Sequence, residues 1–255
     1  MQGRGRKDRR EKGDMVAEKI ISVVSGKGGV GKTVTALNLG FALSKMQQDV
    51  TVVDADITAS NLALHLGITW FPITLQDVLS GSAKIEIAIY DAHGLRIVPS
   101  SLSLNYLNAK TDRLKNVLRS LSGTVIIDSP PGFGRDVLNI LEASTDVIVI
   151  TTPEIASITN AVKMLKFAKR NVLGLIVNRH QGFLKRQHIE EVCEAPVIGV
   201  VPEDKNMARS AFEKKPLLHY KPHSKASREY MRIASLLTGI EYRPSFWKRI
   251  LMVRT

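Results

Sequence analysis

From Ile20 onward the chain alternates between short, almost uninterrupted runs of β-branched residues and longer stretches with apolar side chains at helical spacing. The runs IISVVS (20–25), VTVVD (50–54), LRIVPS (95–100), TVIID (124–128), DVIVIT (146–151), VLGLIVN (172–178) and APVIGVVP (195–202) predict strands. Polar residues hardly interrupt them, so both faces of each strand must be covered, as in a parallel sheet between two helical layers. Between the runs, residues 31–46 place Leu37, Leu39, Phe41 and Leu43 on a helix, and residues 157–169 and 224–237 read the same way. This alternation predicts an α/β fold, a doubly wound and mostly parallel sheet with helices on both faces. Ligands in such folds bind at the carboxyl ends of strands. No internal repeat or low-complexity linker divides residues 19–242, which therefore read as one domain.

The two ends differ from this body. Residues 1–18 have almost no apolar content and cannot offset their own ordering entropy, which predicts a disordered basic leader; Met15 is a second candidate start. Charge follows the same division. Residues 1–19 carry 7 basic and 4 acidic groups, residues 20–204 carry 17 of each, and residues 205–255 carry 12 and 3. Any anionic partner, lipid or nucleic acid, is expected at the termini or the surface beside them. The single Cys193 excludes an intrachain disulfide and fits a reducing cytosol. No run approaches the roughly 20 apolar residues of a membrane span, and the N-terminus is too charged for a signal peptide. A cytoplasmic protein is expected.

The candidate chemistry begins at SGKGGVGKT (25–33), between the first strand and the first helix. Gly26, Gly31, Lys32 and Thr33 satisfy the G-x-x-x-x-G-K-[ST] spacing of a phosphate-binding loop. Glycines let backbone N–H groups turn toward phosphate oxygens, and the helix N-terminus adds partial positive charge. Lys32 would bridge the β- and γ-phosphates, and the Thr33 hydroxyl would bind Mg²⁺. The loop holds a second lysine, Lys27, that this role does not need.

The loop KGGVGKT, together with DADITASNLALHLG (54–67), VIIDSPPGFG (125–134), NRH (178–180) and GVVPED (199–204), resembles the MinD/ParA family of deviant Walker A P-loop ATPases, most closely its MinD branch. The resemblance covers roughly residues 18–240. It implies a P-loop NTPase fold, ATP and Mg²⁺ as cofactors, and a nucleotide cradle of Gly26, Lys27, Gly28, Gly29, Val30, Gly31, Lys32, Thr33 and Val34. It makes Lys27 a catalytic residue that reaches across an ATP-dependent homodimer to the partner's phosphates; the alternative is a solvated loop lysine. Asp54 and Asp128 join Thr33 around the metal, and Asp56 orients or deprotonates the hydrolytic water. Strand alternation would point Asp54 and Asp56 apart unless the chain turns there, and Asp56 also suits a helix N-cap. Asn178 and Arg179 would read adenine, with Pro202 and Glu203 across the base. SPPGFG reads as a stiff switch with glycine hinges.

Two departures from the family matter. Val34 lacks the hydroxyl common after the metal-binding threonine, and Cys193 alone cannot supply the cysteine pair of the iron–sulfur scaffold branch. The six histidines are scattered, with Pro222 spoiling helical pairing of His219 and His223. Residues 243–255, RPSFWKRILMVRT, form an amphipathic tail. Phe246, Trp247, Ile250, Leu251 and Val253 fall in one helical sector, and Lys248 and Arg249 lie opposite. Trp beside basic residues suits an interfacial anchor on an anionic membrane, through residues 244–255; the alternative is packing on the body. One such tail binds weakly, whereas two joined by dimerisation gain effective concentration. The expected function is a MinD-like ATPase, peripheral at the inner face of the membrane, acting in cell division or spatial positioning with an unknown activating protein. Alternatives are a ParA-like DNA-partitioning ATPase and an ATP-binding module without significant turnover.

Overall fold

The structure, a computed structural model, describes residues 17–103, 111–169 and 171–242. The chain begins with β1 (Lys19–Val24), α1 (Lys32–Lys45) and β2 (Val50–Asp54). Two short helices, α2 (Leu62–His65) and α3 (Leu75–Ser80), precede β3 (Tyr90–Ala92) and β4 (Leu95–Val98). Then α4 (Leu114–Arg119), β5 (Thr124–Asp128), α5 (Arg135–Ala143), β6 (Asp146–Thr151), α6 (Ile155–Ala168) and β7 (Asn171–His180) follow in alternation. The last elements are α7 (Arg186–Cys193), β8 (Val197–Pro202), α8 (Lys205–Phe212), α9 (Leu217–Tyr220) and α10 (Lys225–Thr238). The leader up to residue 16 and the tail 243–255 lie outside the described residues.

The eight strands form one sheet in the order β3-β4-β2-β5-β1-β6-β7-β8. All neighbours are parallel except β3 and β4. Each expected strand is present, and β3 is the addition. It pairs antiparallel with β4, Tyr90 opposite Ile97 and Ala92 opposite Leu95. The two-residue turn between them, His93 and Gly94, has φ of 57° and 82°. Positive φ at both turn positions matches the right-handed twist of the flanking strands. The signal was the dipeptide His93-Gly94, which the search for continuous apolar runs passes over.

The uninterrupted apolar runs follow from double coverage. Successive residues of a strand enter cores on opposite faces: Ile21, Val52, Ile126, Ile148 and Ile176 pack with α1 and α10. Their neighbours Ile20, Val53, Val125 and Ile127 pack with α3 and α4, and Val147, Val149, Leu175 and Val177 with α6 and α7. A polar residue at any of these positions would strand a buried group. Helix α1 lies close on the sheet because Gly40 has no side chain: a Cβ there would overlap Val52 and crowd Leu95. Its other flank meets α10, where the fully buried Tyr230 hydroxyl bonds the Thr35 hydroxyl at 3.3 Å. Burial pushes the Tyr230 phenol up to about 12.

Gly40→Val should therefore overpack the interface of α1 with β2 and β4. We expect a loss of about 1–3 kcal/mol, read as a lower urea midpoint with unchanged slope. Tyr230→Phe should cost about 1 kcal/mol at neutral pH by orphaning Thr35. The folded pKa of Tyr230 exceeds the unfolded value, so its contribution is complete below pH 10 and declines as pH rises toward 12. The gap between wild type and Tyr230→Phe should thus narrow in urea melts above pH 10.

Candidate functional site

Strand β1 delivers the loop 25–31 to the middle of the sheet, and α1 carries the chain away. Gly29 and Gly31 have φ of 75° and 95°, a region that disfavours residues with a Cβ. At Gly31 a Cβ would also overlap the Asn178 amide. Gly31 caps α1 without a side-chain bond, and the first turn of the helix contains no acid. The first amides of a 14-residue helix are thus left for an anion. Ser25, which the sequence reading passed over, ties the loop together: its hydroxyl donates to the Lys27 carbonyl at 2.7 Å and accepts from Lys32 Nζ at 3.3 Å.

Carboxylates converge opposite Lys32. In the register of β2 with β5, Asp54 lies beside Asp128, so two buried acids occupy adjacent strand tips. Burial pushes Asp54 well above the ordinary carboxylate range, and the neighbouring Asp128 adds to it. Asp128 is pushed up to about 7 by burial, while the Thr33 hydroxyl bonded to it and the Lys32 ammonium pull it down. Lys32 itself is lowered by burial, with Asp128 and Asp56 opposing. Asp128 Oδ1 is buried and lacks a hydrogen-bond partner. An orphaned buried oxygen, a second acid and a threonine hydroxyl make a hard oxygen set that fits a divalent cation such as Mg²⁺.

The chain does turn after Asp54. The Asp56 amide donates back to Asp54 Oδ1 at 3.2 Å, and Ala55 N–H bonds the Asp128 carbonyl at 2.9 Å. Asp56 thereby joins the electrostatic neighbourhood of Lys32 and Asp128. It is not a helix N-cap, since that position of α2 is Asn61. Its Oδ1 accepts from Thr58 Oγ1 at 3.1 Å and from Ala59 N–H at 3.0 Å. Asp54 is held by Ser60, whose hydroxyl donates to Oδ2 at 2.8 Å, and Ser100 donates to the Asp54 carbonyl at 2.7 Å.

Beside the loop lies a mostly apolar cavity of about 350 Å³. It brings together Gly31, Val34, Asn178, Arg179, Pro202 and Glu203, residues separated by up to 172 positions of sequence. Asn178 Nδ2 donates to the Val30 carbonyl at 2.8 Å, which turns its Oδ1 away from that bond. Arg179 takes up φ of 55°, a left-handed conformation uncommon outside glycine. Met207, Ala208 and Ala211 of α8 complete the wall. Their signal was the helical spacing 204, 207, 208, 211 after the PED turn. Val34, noted for its missing hydroxyl, contributes apolar surface here.

The SPPGFG loop is tethered rather than loose. Ser129 donates to the Val23 carbonyl at 2.9 Å, and Gly132 N–H bonds the Ser25 carbonyl at 3.0 Å. Phe133 stacks edge-on against Phe167, with centroids 5.3 Å apart. A Cβ on Gly26 would come within 2.6 Å of Phe133, so the first glycine is needed for contact as much as for phosphate. Gly28 lies over Pro131. Lys27 pairs with Glu154, Nζ to Oε2 at 2.6 Å. Glu154, like Ser25, was not singled out by the sequence reading.

Comparison with known proteins shows the family. The family model for the CobQ/CobB/MinD/ParA nucleotide binding domain matches residues 21–217. An uncharacterized ATP-binding protein of Methanocaldococcus jannaschii is 40% identical over 240 residues, covering 90% of this chain and 91% of that one. The solved structure of the septum site-determining protein MinD of Pyrococcus horikoshii, complexed with Mg-ADP, superposes with a TM-score of 0.81 at 35% identity, over 89% of this chain and 99% of the other. A MinC:MinD cell division protein complex of Aquifex aeolicus gives 0.74 at 27% identity, over 89% and 98%. With its glycine-rich loop between β1 and α1 and its paired strand-tip acids, the chain belongs to the MinD/ParA family of P-loop nucleotide-binding ATPases.

Proposed function

We propose that this protein is a MinD-like ATP hydrolase that dimerises with Mg-ATP, attaches reversibly to an anionic membrane surface and leaves it after hydrolysis. The observation that carries the reading is the division of labour between two lysines of one loop. Lys32 is buried among acids, while Lys27 faces outward. The loop 26–34 and the amides opening α1 bind the phosphates, with Lys32 leaving Ser25 for the β- and γ-oxygens. Thr33, Asp54 and Asp128 would hold Mg²⁺, which when bound would neutralise charge on those phosphates. Asp56, anchored through Oδ1, presents Oδ2 to a water and accepts its proton as the water oxygen bonds the γ-phosphorus and the bond from that phosphorus to the β,γ-bridging oxygen breaks, releasing ADP and phosphate. Lys27 of one protomer stabilises charge at its partner's phosphates, in the manner of an arginine finger given in trans. Asn178 offers Oδ1 to the exocyclic amino group of adenine, and Arg179, Pro202 and Glu203 border the base.

The membrane step rests on the composition of the tail. Among the described residues no helix is long and apolar enough to cross a membrane; the proposed attachment is a peripheral one, at the inner face, through the tail. Lys and Arg near an anionic surface contribute roughly 1 kcal/mol each. Paired tails then bind where single tails do not. The assembly of the Aquifex relative with MinC supports a protein partner that reads the dimer. The strongly basic segment 205–255 favours a second reading, a DNA-partitioning ATPase.

Asp56→Ala should lower ATP turnover by about 100-fold or more while ATP binding persists. Unchanged turnover would remove Asp56 from the mechanism. Co-sedimentation with anionic vesicles and with DNA, for the full chain and one ending at Tyr242, decides between the two readings. We expect ATP-dependent vesicle binding that disappears with the tail. Salt-sensitive DNA binding that survives truncation would establish the second reading instead.

A further inference from the structure

We propose that Glu154 is a positioning residue for Lys27, holding its ammonium on its own subunit until a second, ATP-loaded copy of the chain takes it. This rests on the dimer reading above. Both loop lysines have a partner within their own subunit: Lys32 on the Ser25 hydroxyl at 3.3 Å, Lys27 on Glu154 at 2.6 Å. The Lys27 backbone is pinned by Ser25, so the side chain is the part free to change partners.

Glu154 stands on a rigid base. It directly precedes α6, where its carbonyl accepts from Ile158 N–H at 2.9 Å. The turn before α6 is fastened by Ser157, which bonds Thr151 Oγ1 and Thr152 N–H, each at 3.0 Å. A carboxylate at this end of a helix is favoured by the helix dipole. Lys27 and, more weakly, Arg179 keep Glu154 charged by holding its carboxyl below the usual range. Arg179 borders the base cavity, so Glu154 lies between the cation meant for the partner and a cation that meets the nucleotide.

The pair is open to solvent, with side-chain exposures of 40% and 61%. Exposed ion pairs are weak and screened, which suits a contact made to be exchanged. Phosphates carry more negative charge than one carboxylate and offer more acceptor oxygens, so a partner's nucleotide outcompetes Glu154. At the same end of the sheet, Ile155 and Phe183 are 87% and 89% exposed, apolar surface of the kind a second copy would cover.

The test compares full-length wild type with Glu154→Gln, a near-isosteric change at an exposed position whose folding is checked by circular dichroism. Acylation of the Lys27 amine by a small activated ester, followed by mass spectrometry on the nucleotide-free monomer, reads the pair directly. ATP-dependent dimerisation is measured by sedimentation in an Asp56→Ala background. Loss of an exposed ion pair should raise Lys27 labelling about two- to five-fold and tighten dimerisation by a similar factor. Unchanged labelling overturns the role of Glu154 and leaves the dimer reading standing. Faster labelling with unaltered or weaker dimerisation overturns the exchange between partners. Absence of any ATP-dependent dimer, with labelling raised, overturns the dimer reading and the exchange with it.

Discussion

Everything in the site follows from placing like charges side by side out of water. Two carboxylates at adjacent tips of β2 and β5 are a destabilising arrangement for an isolated fold, because burial and mutual repulsion both disfavour their charged forms. The sheet tolerates them because Lys32, Thr33 and Ser60 place donors or positive charge beside them. Such a cluster is an incomplete structure whose most stable complement is a cation bearing phosphate oxygens. The glycines of the loop, the start of α1 without a side-chain cap and the Lys32 charge felt by Asp128 are all arranged around that complement.

How much of this could be read from residues alone depended on distance along the chain. The strands were legible because coverage on both faces forces continuous apolar runs, and α1 because its caps lie at Gly31 and Met46. The phosphate loop was legible because its function depends on local backbone freedom. Strand β3 was not, since a three-residue edge strand has one covered neighbour and needs no apolar run. Its existence is written in the turn at His93-Gly94. Ser25 and Glu154 were missed for opposite reasons. Ser25 sits inside the motif at a position that the spacing rule leaves open, and Glu154 reaches Lys27 across 127 positions of sequence.

Two residues that resemblance had identified acquired a different physical content. Asp56 stands where a helix cap was one reading, yet it closes a turn of its own and leaves one oxygen unengaged. Val34 looked like a lost contact to phosphate. Facing the cavity beside Met207 and Ala211, it belongs to the surface that would meet a base.

The pairing of α1 with α10 carries a consequence for how a signal could leave the site. Helix α1 starts at the glycine-rich loop, α10 ends just short of the tail, and the buried Thr35–Tyr230 bond joins them. A buried bond of this kind ties α10 to the first turn of α1. Under the dimer reading, information about ATP then reaches the membrane as a count. The particle carries one tail or two, and no lever within the protomer has to move.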